Sequence, residues 1–514
     1  MLDKPTNEPG GQGGGMPPDG GGTTGSASYT GASTISSDDI VTGATYESTT
    51  GGQNALLISG GNIELNNVSV TKSGDSDGDS ADFYGTNAGI LAINDAKVDI
   101  TGLSVNTNGK HANAVFAYGN AVINIDDSTI NTTADNSGGI MVTGGGTINA
   151  TGVTVATTGR SSASIRSDRG GGTINVNGGS YQTSGVGSPA IYSTADIYAT
   201  GTVLESTASE GVVIEGKNSV TLDRTRLTAT NNQLNGQSET YKTVFIYQSM
   251  SGDASEGTGT FSATDSLITS NQGDIFFVTN TDAKIALSGN KFIQNDTSGA
   301  FLRASKSAWG NSGSNGGKVT LSATDQEING DIVIDSISSL TMSLEHSYFK
   351  GAFTGEGAVS LTVSEDSIIV LTEDSKISSL TNADSSNSNI YANGHKLYVN
   401  GQEAAINEGE APESFLTFDE SVLVETDASE DVVVITPQNS STSGFPTWGY
   451  FAIGGGVITL IIIVAVAIFA IKKGKKKPLV LNEPLGQNIS STPVQTPAPE
   501  RESTPGQNPE QFGL

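Results

Sequence analysis

The chain has no cysteine among its 514 residues. That excludes a disulfide scaffold, a thiol nucleophile and thiolate metal ligands. Histidine occurs three times, as His111, His346 and His395, too few for a histidine-rich metal site. Aromatic residues are 6% and charged residues 15%, so a strongly basic or aromatic surface is excluded. Between positions 19 and 411 the only proline is Pro189. Nearly every backbone N–H in that stretch can therefore join a hydrogen-bonded ladder.

What remains is rich in turn-forming residues. Glycine supplies 66 positions, and Ser, Thr, Asn and Asp are plentiful. Such a mixture disfavours helix and suits an all-β chain with many turns. The formal net charge is −29 and is unevenly placed. Lys472, Lys473, Lys475, Lys476 and Lys477 with Arg501, set against four glutamates, leave residues 472–514 at +2 and the preceding chain at −31. An acidic domain of that size repels nucleic acid and can gather divalent cations.

Trp448 to Ile471 form 24 residues without a charge. As a helix they extend about 36 Å, enough to cross a hydrocarbon core of roughly 30 Å. Trp448 and Tyr450 mark one interface, and the lysines place the other end in the cytoplasm. The expected localisation is the cell membrane: single-pass, N-terminal domain outside, tail inside, lipid contacting 448–471. No apolar stretch precedes the outer domain, so the chain as written is expected to lack its export signal. The segment Phe445 to Gly449 (FPTWG), followed by apolar residues and lysines, resembles a sortase sorting signal. It departs from the L-P-x-T-G pattern with Trp448 at the threonine position, and 37 residues follow the lysine cluster.

Upstream, a unit repeats. GNIELNNVSVTKSG from Gly61, AKVDITGLSVNTNG from Ala96, AVINIDDSTINTTA from Ala121, GTINATGVTVATTG from Gly146 and GTINVNGGSYQTSG from Gly172 share one pattern. Apolar and polar residues alternate within each, as in strands. A shorter apolar strand precedes most copies, as AVFAYG from Ala114, GIMVTG from Gly139 and VFIYQS from Val244. One unit cannot bury its own apolar face, whereas stacked coils can. Roughly a dozen coils at about 4.8 Å would make a rod near 60 Å long.

Coils of this length with an x-h-x-h-x-N/D-x-h-x-h pattern resemble the right-handed parallel β-helix of the pectate-lyase-like superfamily. The chain as a whole resembles the adhesin-like repeat proteins on the surface of gut Gram-positive bacteria. The expected organisation is a Gly/Pro-rich segment 1–27, a parallel β-helix 28–400, an acidic cap and stalk 401–447, the spanning helix 448–471 and a tail 472–514. The strand-like SVLVET and DVVVIT fall in the stalk.

Two constellations carry candidate chemistry. Asp75, Asp77, Asp79 and Asp82 stand within one loop, and alternating carboxylates can wrap Ca²⁺. The EF-hand pattern fails, because Ser80 and Thr86 hold its glycine and glutamate positions. Arg166, Asp168, Arg169, Tyr192, Glu215, Lys217 and Tyr247 come from successive short strands. Stacked in register, they form a patch whose tyrosines can stack on sugar rings while the charged groups bond hydroxyls. The alternative role is to lock coils together by salt bridges. An enzyme requires more. Adjacent Asp126 and Asp127 point to opposite faces, and the Gly-His-Gly and Arg-x-Lys of polygalacturonases are missing. A lyase using Arg166 or Arg169 as base near Ca²⁺ is the catalytic alternative. The favoured expectation is adhesion or glycan binding.

Overall fold

The computed structural model describes residues 27–235 and 238–423. The first coil consists of β1 (Gly31–Ile35), β2 (Asp39–Thr42) and β3 (Thr45–Ser48). The second repeats it with β4 (Asn54–Ser59), β5 (Asn62–Asn66) and β6 (Ser69–Lys72). β4 pairs in parallel with β1, β5 with β2 and β6 with β3. The same three-strand step continues, giving parallel sheets of 13, 14 and 10 strands, here A, B and C in order of their first strands. Four- and three-stranded sheets complete the C-terminal coils. The described chain is a parallel β-solenoid, as the repeats predict.

Register explains why the repeats spell out the coils. Ile123 lies over Val98 and Ile148 over Ile123, so like residues stack in columns. The inward columns of Val, Ile, Leu and Ala form one continuous core from Ala55 to Leu397. One inward column is polar: Thr132, Thr157 and Thr183 each donate to a serine carbonyl five residues on, at 2.6, 2.5 and 2.6 Å. Those serines form a ladder of their own. Ala112 N–H donates to Ser137 Oγ, Ser137 N–H to Ser162 Oγ and Ser162 N–H to Ser188 Oγ. Corner amides that face no strand thus find partners, as buried backbone groups require.

The corner between sheets B and C needs a left-handed residue in each coil. Asn67, Gly102, Asp127, Gly152, Gly178 and Gly201 occupy it with φ between 43° and 68°. This is the physical content of the N/D/G position in the repeat.

Insertions interrupt the coils, and all flank sheet A. The loop after β6 contains a short helix, α1 (Asp79–Tyr84). Residues 231–235 and 238–241 precede the sheet A strand Lys242–Tyr247, and residues 248–257 leave it. Residues 305–316 follow the strand Leu302–Ala304.

At the C-terminal end Leu397–Val399 turns back into an antiparallel pair with Gln402–Glu403. The chain then returns along the flank. Tyr348 Oη donates to the Pro412 carbonyl at 3.0 Å, Phe415 packs 5.0 Å from His346, and Lys291 meets Glu420 at 2.8 Å. SVLVET does not begin as a strand: Glu420–Val422 is a 3₁₀ turn, capped by Asp419, which accepts from Ser421 N–H at 3.0 Å. Among the described residues no helix is long and apolar enough to cross a membrane. Segment 448–471, DVVVIT and both terminal segments lie outside the described residues.

Candidate binding face on sheet A

Sheet A differs from the other two because both its faces are covered. In Val212–Glu215, Val212 and Ile214 belong to the interior core, while Val213 belongs to a separate outer cluster with Tyr192, Phe245, Tyr247 and Phe277. A second outer cluster joins Leu57, Leu91, Ile93, Phe116 and Met141. The sequence signal for this is the unbroken apolar character of the short strands. A strand buried on both faces reads as a continuous apolar run, whereas one with a wet face alternates.

Pairing brings the expected patch together. Arg166 lies beside Tyr192, and Glu215 beside Tyr247. All four point outward from the sheet, yet they are not exposed: Tyr192 is 4% accessible, Glu215 and Tyr247 1% each. Arg166 and Asp168 are also buried. Arg169 keeps 42% of its side chain exposed, and Lys217 is exposed beyond the covered zone. The open tyrosine platform expected from sequence is therefore roofed over.

The roof comes from the insertions, and the patch residues clamp it. Arg166 binds Asp168 through Nε at 2.9 Å and Nη2 at 2.5 Å, and its Nη2 lies 3.7 Å from Asp82 of α1. Burial opposes the Arg166 charge, but the carboxylates of Asp168 and Asp82 hold its pKa above the ordinary value. His111 Nδ1 lies 2.8 Å from the other Asp82 oxygen. Arg169 stacks 3.9 Å over the ring of Phe83 and bonds Asp253 of the 248–257 loop. Thr143 donates to the Phe83 carbonyl at 2.6 Å.

Glu215 is the centre of the second clamp. Tyr192 and Tyr247 donate to one carboxylate oxygen at 2.5 and 3.1 Å, and Ser249 donates to the other. Burial, with the Glu215 charge second, pushes both tyrosine pKa values well above their usual range. Phe245 stacks on Tyr247 at 4.4 Å, and Trp309 packs 5.0 Å from the same ring. Through these contacts the patch residues hold the covering loops against the outer face of sheet A.

The aspartate loop does not converge either. Asp75 accepts the Lys110 N–H at 2.8 Å, Asp77 and Asp79 are exposed, and Asp82 turns inward to His111 and Arg166. α1 begins at Asp79 and separates the carboxylates. Among the described residues no group of three acidic, histidine or cysteine side chains is placed to hold a metal.

Partly exposed aromatics remain at two places on this face. Tyr29, Tyr84 and Tyr118 cluster at the N-terminal end, with centroids 6.3 and 5.6 Å apart. Further along, Lys242, Phe245, Phe277, Lys306 and Trp309, with three serines, Thr240 and Glu239, line a pocket of about 30 Å³. Lys242 Nζ is fixed at its edge by Glu210 at 3.1 Å and Ser238 at 2.7 Å, 4.4 Å above the Phe245 ring. The Trp309 Nε1 donor is buried without a partner. A pocket of that size admits one small polar group, not a whole sugar ring. Sequence reading missed both places, because Phe83, Tyr84 and Trp309 lie in insertions outside the repeat pattern. No protein-family model, curated protein or solved structure matches the chain.

Proposed function

We propose that this chain is a membrane-anchored cell-surface protein whose right-handed, pectate-lyase-like β-helix serves adhesion by binding a glycan on the outer face of sheet A. The pocket beside Trp309 carries the reading. It joins aromatic rings and lysine side chains around a small opening, the combination that positions a polar ring ligand through one inserted substituent. The membrane placement rests on the apolar run Trp448 to Ile471 and the lysines after it. The kinship to surface proteins of gut Gram-positive bacteria rests on the repeats alone.

A panel of plant and host polysaccharides, incubated with the purified protein and Ca²⁺, tests this. Binding is expected, and Trp309→Ala should weaken it at least tenfold while moving the melting transition by only a few degrees. Unchanged binding in the variant moves the site elsewhere. New reducing ends, or absorbance from unsaturated sugars, would replace adhesion by a tethered hydrolase or lyase.

A further inference from the structure

The size and the charges of the pocket beside Trp309 narrow what can enter it. At about 30 Å³ it has room for about two groups of water size, since one such group needs roughly 10–15 Å³. Phe245, Phe277 and Trp309 form its apolar wall. Lys242, Lys306 and Glu239 are the charged residues of its lining.

Lys242 has no proton left for a ligand. Its ammonium carries three, and Glu210 at 3.1 Å, Ser238 Oγ at 2.7 Å and the Thr240 carbonyl at 3.0 Å take them all. Burial opposes the Glu210 charge, yet Lys242 holds its pKa below the ordinary value, so the pair neutralises itself. Lys306 and Glu239 are both exposed and opposite in sign, and they offset each other. An anion in the pocket would therefore leave water without a dedicated cation, which is costly beside three rings. The net charge of −29 adds a field that repels polyanions. Ser238 is different. Its hydroxyl accepts from Lys242, so its own proton remains to be donated.

We propose that the substituent this pocket takes is the acetamido group of an N-acetylated amino sugar, an assignment that rests on glycan binding at this site. Its methyl and its carbonyl oxygen are the two groups of water size. The methyl packs against Phe245, Phe277 and Trp309, and the carbonyl accepts from Ser238. The amide nitrogen stays at the opening, joined to a sugar ring that lies outside. A hydroxymethyl group is of similar size, but it brings a hydroxyl rather than a methyl to the rings. A hydroxyl buried there without a partner costs binding.

The test compares the methyl glycosides of N-acetylglucosamine, N-acetylgalactosamine, glucose and glucuronic acid on the full-length chain, held in a detergent without a sugar head group. In saturation-transfer NMR at least one N-acetyl glycoside should bind, with its acetyl methyl protons the most strongly saturated. The glucose and glucuronic acid glycosides should bind about tenfold more weakly. An N-propanoyl analogue should lose affinity by a similar factor, because the acetyl group already fills the pocket. Ser238→Ala should weaken the N-acetyl glycoside about fivefold. Should that variant fail to fold, the ligand series on the unaltered chain still decides. Equal binding of the glucose glycoside, or tighter binding of the glucuronic acid one, overturns the acetamido assignment and leaves a glycan site. No binding by any of these glycosides, with polysaccharides bound, overturns the assignment alone; polysaccharides left unbound as well overturn glycan binding with it.

Discussion

At the residue scale, the buried charges make the sharpest expectations. Arg166 neutralises Asp168 and faces Asp82 of the α1 insertion, and all three are buried. Removing one partner of a buried pair leaves an uncompensated charge, at about 3–5 kcal/mol. Arg166→Ala should therefore lower unfolding free energy by that order in denaturant titration, and a loss below about 1 kcal/mol would contradict the clamp. Lys72 is a different case. It points inward from β6, donates to the carbonyls of Thr50 at 3.1 Å and Gly74 at 2.7 Å, and is fully buried. Burial pushes its pKa down from 10.5 to about 8, against the pull of Asp75. Below about 8 the lysine is charged in both folded and unfolded chains, and the folded state bears the cost. Between about 8 and 10.5 the unfolded chain holds more protons, so stability should rise with pH. Tyr192 and Tyr247, with raised pKa values, act oppositely above 10, which leaves pH 8–10 as the window. Lys72→Met should flatten that rise and raise the melting temperature at pH 7; an unaltered pH profile would show that Lys72 does not cause it.

At the scale of the element, the B–C corner controls the coil. Gly152 has φ 62°, and a Cβ there would sit 2.8 Å from Asp127 Oδ1 in the coil below. Gly152→Ala should cost about 1–2 kcal/mol from the left-handed backbone alone. The neighbouring Asp127 occupies the same corner at φ 43°, so Asp127→Gly should be tolerated or stabilising. Urea titration of the two variants checks the sign. These corners were legible because the N/D/G position recurs in each repeat. The insertions were visible only as gaps between repeats. That α1 would end with Gly85 against Leu91 and Phe116, and that residues 248–257 would reach back to Arg169, was not legible. Neither contact has a sequence period.

At the scale of the whole molecule, the proposed membrane anchoring gives a direct experiment. Protease added to intact cells should remove the solenoid and spare a tag placed after Leu514, while permeabilised cells should lose both. Loss of the tag from intact cells would reverse the proposed orientation. The reversed chain from Ala404 to Leu423 adds to the picture. It runs back from the capped end toward Lys291, so the described chain does not finish at the tip of the rod.

The sequence by itself determined the coil. Alternation set the inward columns, the Gly/Asn/Asp positions set the corners, and the scarcity of proline kept the ladders intact. These features are local and repeat, so each copy restates the same constraint. It also brought Arg166, Tyr192, Glu215 and Tyr247 to one face, since register alone does that. Only the tertiary structure decided whether that face meets solvent. Exposure depends on loops that enter from other coils, such as α1 against Thr143 and residues 248–257 over Glu215. Once a loop roofs a charged strand, Coulomb pairing and desolvation turn an expected binding patch into a clamp. The half-exposed rings that remain, Trp309 and the Tyr29–Tyr84–Tyr118 cluster, lie where the roof ends.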